Sequence, residues 1–135
     1  MTTLTNTPRN VLVVEDEQSI RDVLVDLFEV EGNCVTGVEL LPDALGTLRT
    51  HRFDLVITDL RLGGKRDGGL QVMALAGMLS PDAVVLVLTA YPDDSNRQAA
   101  FRLGAHHFLE KPVDLATLAQ YAAKAGVRTA IAMDF

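Results

Sequence analysis

Apolar positions along the chain fall into short runs separated by longer segments with a helical period. The runs cover residues 11–14, 34–38, 55–58, 84–88 and, more briefly, 107–109. The first, third and fourth are almost unbroken Val, Leu and Ile, the pattern of parallel strands covered on both faces; antiparallel strands with one wet face would alternate. Between them, Ile20, Val23, Leu24, Leu27 and Phe28 recur at i, i+3, i+4, i+7 and i+8. That spacing makes one apolar stripe on a helix expected to end near Gly32. Leu41, Ala44, Leu45 and Leu48 mark a second helix. Val72, Met73, Ala76 and Leu79 mark a third, stopped by Ser80-Pro81. Ala99, Ala100 and Leu103 mark a fourth with Gly104 as its stop. Leu115, Leu118, Ala119 and Ala122 mark a fifth, with Asp114 expected as its N-terminal cap.

Five strand–helix units in one chain predict an α/β fold: a doubly wound, five-stranded parallel sheet in the flavodoxin-like order 2-1-3-4-5, with helices on both faces. Residues 10–129 are expected to form one domain, with a flexible N-terminus over 1–9 and a tail over 130–135.

Charge and composition narrow the function classes. Eighteen acidic against twelve basic residues give a net charge of −6, and no Lys/Arg cluster offers a face for a phosphate backbone. Direct nucleic-acid binding is not expected. No apolar run approaches the ~20 residues of a membrane span, and the polar first ten residues lack the apolar core of a secretory signal. Membrane association is not expected, and a cytoplasmic location is. The single cysteine, Cys34, sits in an apolar run and reads as a small buried hydrophobe.

In open α/β sheets the reactive crevice lies beyond the carboxyl ends of the strands. Reading outward from each run gives Glu15 and Asp16, then Asp59, then Thr89 and Ala90, then Glu110, Lys111 and Pro112. Singly these are unremarkable: an acid after a strand commonly caps a turn or helix, and a lysine there is commonly solvated. Together they converge on one rim. Crowded carboxylates repel unless a cation compensates. A hard divalent ion such as Mg²⁺ takes one or two carboxylates, keeps waters and leaves room for phosphate oxygens. Lys111 brings a second positive charge to the same rim.

The set Val-Val-Glu15-Asp16, Ile-Thr-Asp59, Leu-Thr89-Ala90 and Glu-Lys111-Pro112, in this order and spacing, closely resembles the response-regulator receiver family of two-component signalling. The resemblance spans roughly residues 11–128. It implies that Asp59 takes a phosphoryl group from a sensor histidine kinase or histidine phosphotransfer protein. It implies Mg²⁺ bound by Asp16, Asp59 and the backbone carbonyl of Arg61, with Glu15 acting through water. Thr89 and Lys111 would hold phosphoryl oxygens, and Phe108 fills the family's aromatic switch position. The fourth helix, last strand and fifth helix would form the output surface toward a downstream effector. Arg61 and Tyr91, each two residues beyond Asp59 and Thr89, would flank the path of an attacking water, while Ala90 leaves the donor's entrance open.

The chain also departs from the family. Gly63 stands where a proline is common, and the glycine-rich loop over residues 63–69 is one or two residues longer. His106 and His107 replace acids that pair across dimers in transcription-factor receivers, so surface and packing roles are expected for them. Two rival readings keep the fold. A phosphatase of the haloacid dehalogenase type needs a second carboxylate two residues after the nucleophile, and Arg61 stands there. A phosphorylation-independent interaction domain would typically have lost one of the five rim residues. None is lost.

Overall fold

The computed structural model describes residues 8–64 and 68–131. Five units follow one another: β1 (Arg9–Val14), α1 (Gln18–Phe28), β2 (Asn33–Val38), α2 (Leu41–Thr50), β3 (Leu55–Asp59), α3 (Gly68–Leu79), β4 (Val84–Thr89), α4 (Asp94–Arg102), β5 (His107–Glu110) and α5 (Leu115–Lys124). All four strand pairings are parallel, and the sheet order is β2-β1-β3-β4-β5. This is the predicted doubly wound architecture.

The strands divide the core by the two-residue alternation of the pleat. Val11, Val13, Leu55, Ile57, Leu86 and Leu88 face α1 and α5. Leu12, Val14, Val56, Val85 and Val87 face α2, α3 and α4. Because both faces are covered, the central strands can be apolar throughout, which is why they read as unbroken runs.

Several local expectations are corrected. α1 ends at Phe28, where the apolar stripe ends, and Gly32 instead supplies the positive φ of +93° in the turn into β2. Cys34 is exposed rather than buried, because β2 is an edge strand with partly open faces. Asp114 stands at the N-cap position of α5 as expected, but its carboxylate makes no bond to the backbone there; it accepts from the Thr117 hydroxyl at 2.8 Å. α4 is capped at its start by Asp93, which accepts from the Asn96 N–H at 2.8 Å, and Gly104 follows its end with φ +98°. Beyond α5 the chain is held to α1: Val127 is buried, and the Ala130 N–H donates to the Leu27 carbonyl at 2.8 Å. Of the N-terminus expected to be flexible over 1–9 and the tail expected over 130–135, residues 1–7 and 132–135 lie outside the described residues, while Arg9 is the first residue of β1.

A candidate phosphoacceptor site at the carboxyl rim of the sheet

The rim residues stand one after another along neighbouring strands. β1 ends at Val14 and delivers Glu15 and Asp16, β3 ends on Asp59, β4 ends on Thr89, and β5 ends at Glu110 and delivers Lys111. Parallel strands in register put these ends side by side: Val14 lies opposite Thr58, Asp59 opposite Leu88, and Thr89 opposite Glu110. The ladder extends one residue further, since the Lys111 N–H donates to the Thr89 carbonyl at 2.8 Å. The Lys111–Pro112 peptide bond is cis.

Oxygens of Glu15, Asp16 and Asp59 all lie within 4.8 Å of one another. Between two of these carboxylates sits the Lys111 ammonium, 2.5 Å from Glu15 Oε1 and 2.7 Å from Asp59 Oδ2. Glu15 is 1 % exposed, and burial raises its pKa against the opposing pull of Lys111 and the Glu17 N–H. For Lys111 burial works to lower the pKa, yet the hydrogen bonds to Asp59 and Glu15 outweigh it, so the net shift is upward. The lysine is therefore a fixed ammonium at neutral pH.

Backbone donors hold the remaining oxygens. Asp59 Oδ1 accepts from the Arg61 N–H at 3.2 Å, Glu15 Oε2 from the Glu17 N–H at 3.0 Å, and Asp16 Oδ2 from the Gly63 N–H at 3.2 Å. Thr89 is fully buried, and its Oγ1 accepts from the Tyr91 N–H at 2.9 Å. Accepting leaves the hydroxyl proton free to donate. Ala90 is exposed, and the Arg61 guanidinium lies over the Tyr91 ring. Phe108 is buried, with Phe101 beside it and the Arg97 guanidinium 4.9 Å from its ring centroid. Every residue singled out for the rim thus gathers there, apart from Phe108, which lies one layer away on β5.

The model of the response regulator receiver domain matches residues 11–123. The chain belongs to this family. It is similar to KdpE of Escherichia coli, the KDP operon transcriptional regulatory protein, at 37% identity over 110 residues, covering 81% of this chain and 47% of that one. It is 32% identical to the response regulator protein FleR of Pseudomonas aeruginosa, covering 84% of this chain and 24% of that one. The chain thus spans about a quarter to about half the length of these curated relatives. Among solved structures, a response regulator of Burkholderia pseudomallei with a phosphorylated aspartic acid, calcium ion and citrate superposes with a TM-score of 0.75 at 30% identity, covering 87% of this chain and 69% of that one. A CheY-like receiver domain of Methanospirillum hungatei, at 23% identity and a TM-score of 0.78, supports the fold alone. As a receiver domain of two-component response regulators, the chain is a signalling module. Among the described residues no helix is long and apolar enough to cross a membrane.

Several contacts at this receiver's site leave no mark in the sequence motifs. Arg21 donates from Nη1 to the Glu15 carbonyl at 2.9 Å, tying α1 to the acidic turn. Gly69, at the start of α3, lies so close to β3 that a Cβ there would stand 2.1 Å from the Asp59 carbonyl oxygen. The loop glycines Gly63 and Gly64 both take positive φ, 57° and 79°. That conformation aims the Gly63 N–H at Asp16, a use that a proline at this position could not serve. Residues 65–67 lie outside the described residues. His106 and His107 have packing roles: His106 Nδ1 accepts from the Val85 N–H at 3.0 Å, and His107 stacks on Tyr121 of α5 with centroids 3.9 Å apart.

Proposed function

We propose that this receiver is a Mg²⁺-dependent switch that takes a phosphoryl group onto Asp59 from a histidine kinase or histidine phosphotransfer protein, in the cytoplasm. The observation that carries the reading is Lys111 joined to both Glu15 and Asp59 beside the Asp16 carboxylate. Three clustered carboxylates against one ammonium leave a deficit of positive charge that suits a hard divalent cation. Asp16, Asp59 and the Arg61 carbonyl would hold Mg²⁺, with Glu15 reaching it through water. When bound, the ion supplies charge neutralisation for the incoming phosphoryl oxygens.

An Asp59 carboxylate oxygen attacks phosphorus, the P–N bond to the donor imidazole breaks, and its electron pair stays on that nitrogen. Transfer through a loose transition state needs positioning and positive charge more than covalent chemistry. Lys111, already 2.7 Å from Asp59 Oδ2, provides that charge and then pairs with a phosphoryl oxygen. Thr89 donates its free hydroxyl proton to another. The product adds about −1.5 to −2 charges at the rim. Movement of Thr89 and Lys111 toward it relays to Phe108, and the α4-β5-α5 surface carries the signal to an effector. Arg61 and Tyr91 set how long the phosphoryl group survives, while Ala90 keeps its entrance open.

Intact-mass measurement after incubation with acetyl phosphate tests this. One added phosphoryl group is expected with Mg²⁺, none with EDTA, and none in Asp59→Ala. Equal labelling of Asp59→Ala would overturn the assignment.

A further inference from the structure

α2, α3 and α4 cover one side of the sheet, and α3 touches both of the others. Across its 12 residues α3 carries no charged side chain. A helix with one face in water ordinarily turns charged or polar residues to it, and an apolar helix is ordinarily covered on all sides. Here the outer face is Gln71, Ala74 and Met78, exposed at i, i+3 and i+7. Met78 is 75 % exposed, the highest value of any large apolar side chain among the described residues. Phe101 and Leu103 are exposed where α4 ends, at the same end of the layer.

Charge on the two flanking helices is sorted by height. α2 has Asp43 in its first turn and Arg49 in its last; α4 has Asp94 in its first turn and Arg102 in its last, and all four are exposed. Both helices start at the carboxyl rim of the sheet, so the acids stand at the rim end and the arginines at the far end. The three helices hold one further charge, Arg97, which lies over the Phe108 ring. Two acids against three arginines leave the layer at +1 in a chain of −6, so this side escapes the repulsion that the rest of the surface imposes between copies. Gly46 lies midway between Asp43 and Arg49, and Gln98 midway between Asp94 and Arg102. Ala74 stands at a similar height on α3, and at Gly46 a Cβ would meet nothing within 4 Å. An uncharged strip with opposite charges at its two ends fits the same pattern turned end for end.

We propose that this face pairs two copies of the chain about a twofold axis crossing the layer at Gly46, Ala74 and Gln98. α3 then packs antiparallel on its counterpart. Asp43 of each copy meets Arg49 of the other, Asp94 meets Arg102, and Met78 seats against Leu70 and Gln71. Each contact occurs twice, as a self-complementary patch requires. The parallel arrangement would set acid on acid and arginine on arginine, so charge selects the antiparallel one. The two sheets point in opposite directions, and the two Asp59 rims therefore open at opposite ends of the pair. α3 is about 18 Å long, and three helices about 10 Å apart make a patch of roughly 450 Å² per copy. A contact of that size belongs to weak, transient pairing, formed at micromolar concentrations and above.

Sedimentation equilibrium of the full chain, from micromolar to millimolar concentration, reads the association. Wild type should pass from monomer to dimer and no further. Met78→Lys, which sets an unpaired charge into the apolar strip, should weaken the dimer by about tenfold or more. Arg49→Glu with Arg102→Glu makes both ends of the face acidic, and Asp43→Arg with Asp94→Arg makes both ends basic. Each double variant alone should stay monomeric where wild type is half dimeric. Mixed one to one they should pair, because every facing couple is then opposite in sign. In ¹⁵N-labelled wild type, the amide signals that move with concentration should centre on Gln71, Ala74 and Met78. A monomer throughout, a dimer untouched by Met78→Lys, or signals centred on another face would each overturn the proposal. So would double variants that pair alone as well as mixed, or that fail to pair when mixed while keeping the circular dichroism of wild type.

Discussion

The guanidinium carbon of Arg61 lies 3.5 Å from the centroid of the Tyr91 ring. The two residues follow the ends of β3 and β4 by the same two positions, so the contact joins the segments that leave these neighbouring strands. An exposed cation–π pair is worth about 0.5–1 kcal/mol, enough to favour the closed arrangement by about two- to fivefold. Hydrolysis of an aspartyl phosphate needs a water in line with the bond to Asp59, and on the proposed reading this pair shields that side. Phospho-Asp59 should therefore decay several-fold faster in Arg61→Asn with Tyr91→Glu than in wild type. Decay rates of the purified phosphoprotein decide the matter. An unchanged rate in the double variant would show that the pair does not shield.

Metal affinity should depend more on Asp16 than on Glu15. Glu15 is buried and shares its oxygens between Lys111 and the Glu17 N–H, whereas Asp16 is partly exposed and, among the described residues, its carboxylate is bonded only to the Gly63 N–H. Asp16→Asn should weaken Mg²⁺ binding by about tenfold or more, and Glu15→Gln by less, because a lost direct carboxylate costs more than a lost water-mediated one. Calorimetric titration at constant ionic strength measures both. The reverse order would contradict the assignment.

Two glycines of α3 should respond to alanine with opposite signs. At Gly69 the new Cβ would press on backbone, the Asp59 carbonyl at 2.1 Å and Leu60 Cα at 2.7 Å. Neither can rotate away, so Gly69→Ala should destabilise by about 1–3 kcal/mol and slow phosphorylation by displacing Asp59. At Gly77 nothing lies within 4 Å, and φ is not positive. Gly77→Ala should stabilise by about 0.5–1 kcal/mol with phosphorylation unchanged. Urea unfolding with a labelling assay reads both.

His107 should titrate below the usual imidazole value of about 6.5. Burial lowers its pKa, and the neighbouring His106 and Lys124 charges lower it further. A histidine depressed on folding binds its proton more readily when unfolded, so its share of stability is complete above about pH 6.5. That share is lost as the pH falls from there toward the folded value. His107→Phe keeps a ring against Tyr121 and removes the proton site, so its stability should decline less than wild type between pH 7 and 5.5. NMR titration of the ring protons and urea midpoints at the two pH values check this; a His107 titration at or above 6.5 would refute it.

Much of this receiver is written locally. The unbroken Val/Leu/Ile runs announce parallel strands buried on both faces, and the intervening stripes at helical spacing announce the helices that cover them. Once those are placed, the residue just past each strand is placed too, because parallel strands in register end on one rim. That is why Asp59, Thr89 and Lys111 could be assembled from one dimension. Position within the sheet is different. Cys34 reads as a core residue by its neighbours; the predicted order already put β2 at the edge, but how little its faces are covered there depends on how the helices seat and not on local pattern.

Pairwise geometry was likewise decided only by the fold. Lys111 meets Glu15 across 96 residues and Asp59 across 52, and the sequence can bring all three to the rim without saying which carboxylates the ammonium will join. Asp114 has the chemistry of a helix cap yet bonds Thr117 instead, since a cap depends on a side-chain angle as well as a residue type. The closeness of Gly69 to Asp59 and the stacking of Arg61 on Tyr91 follow from how helices seat on a twisted sheet. Those contacts depend on a few ångströms of packing among distant segments. Hydrophobic periodicity, which averages over a turn or a strand, carries the elements and their order but not distances of that size.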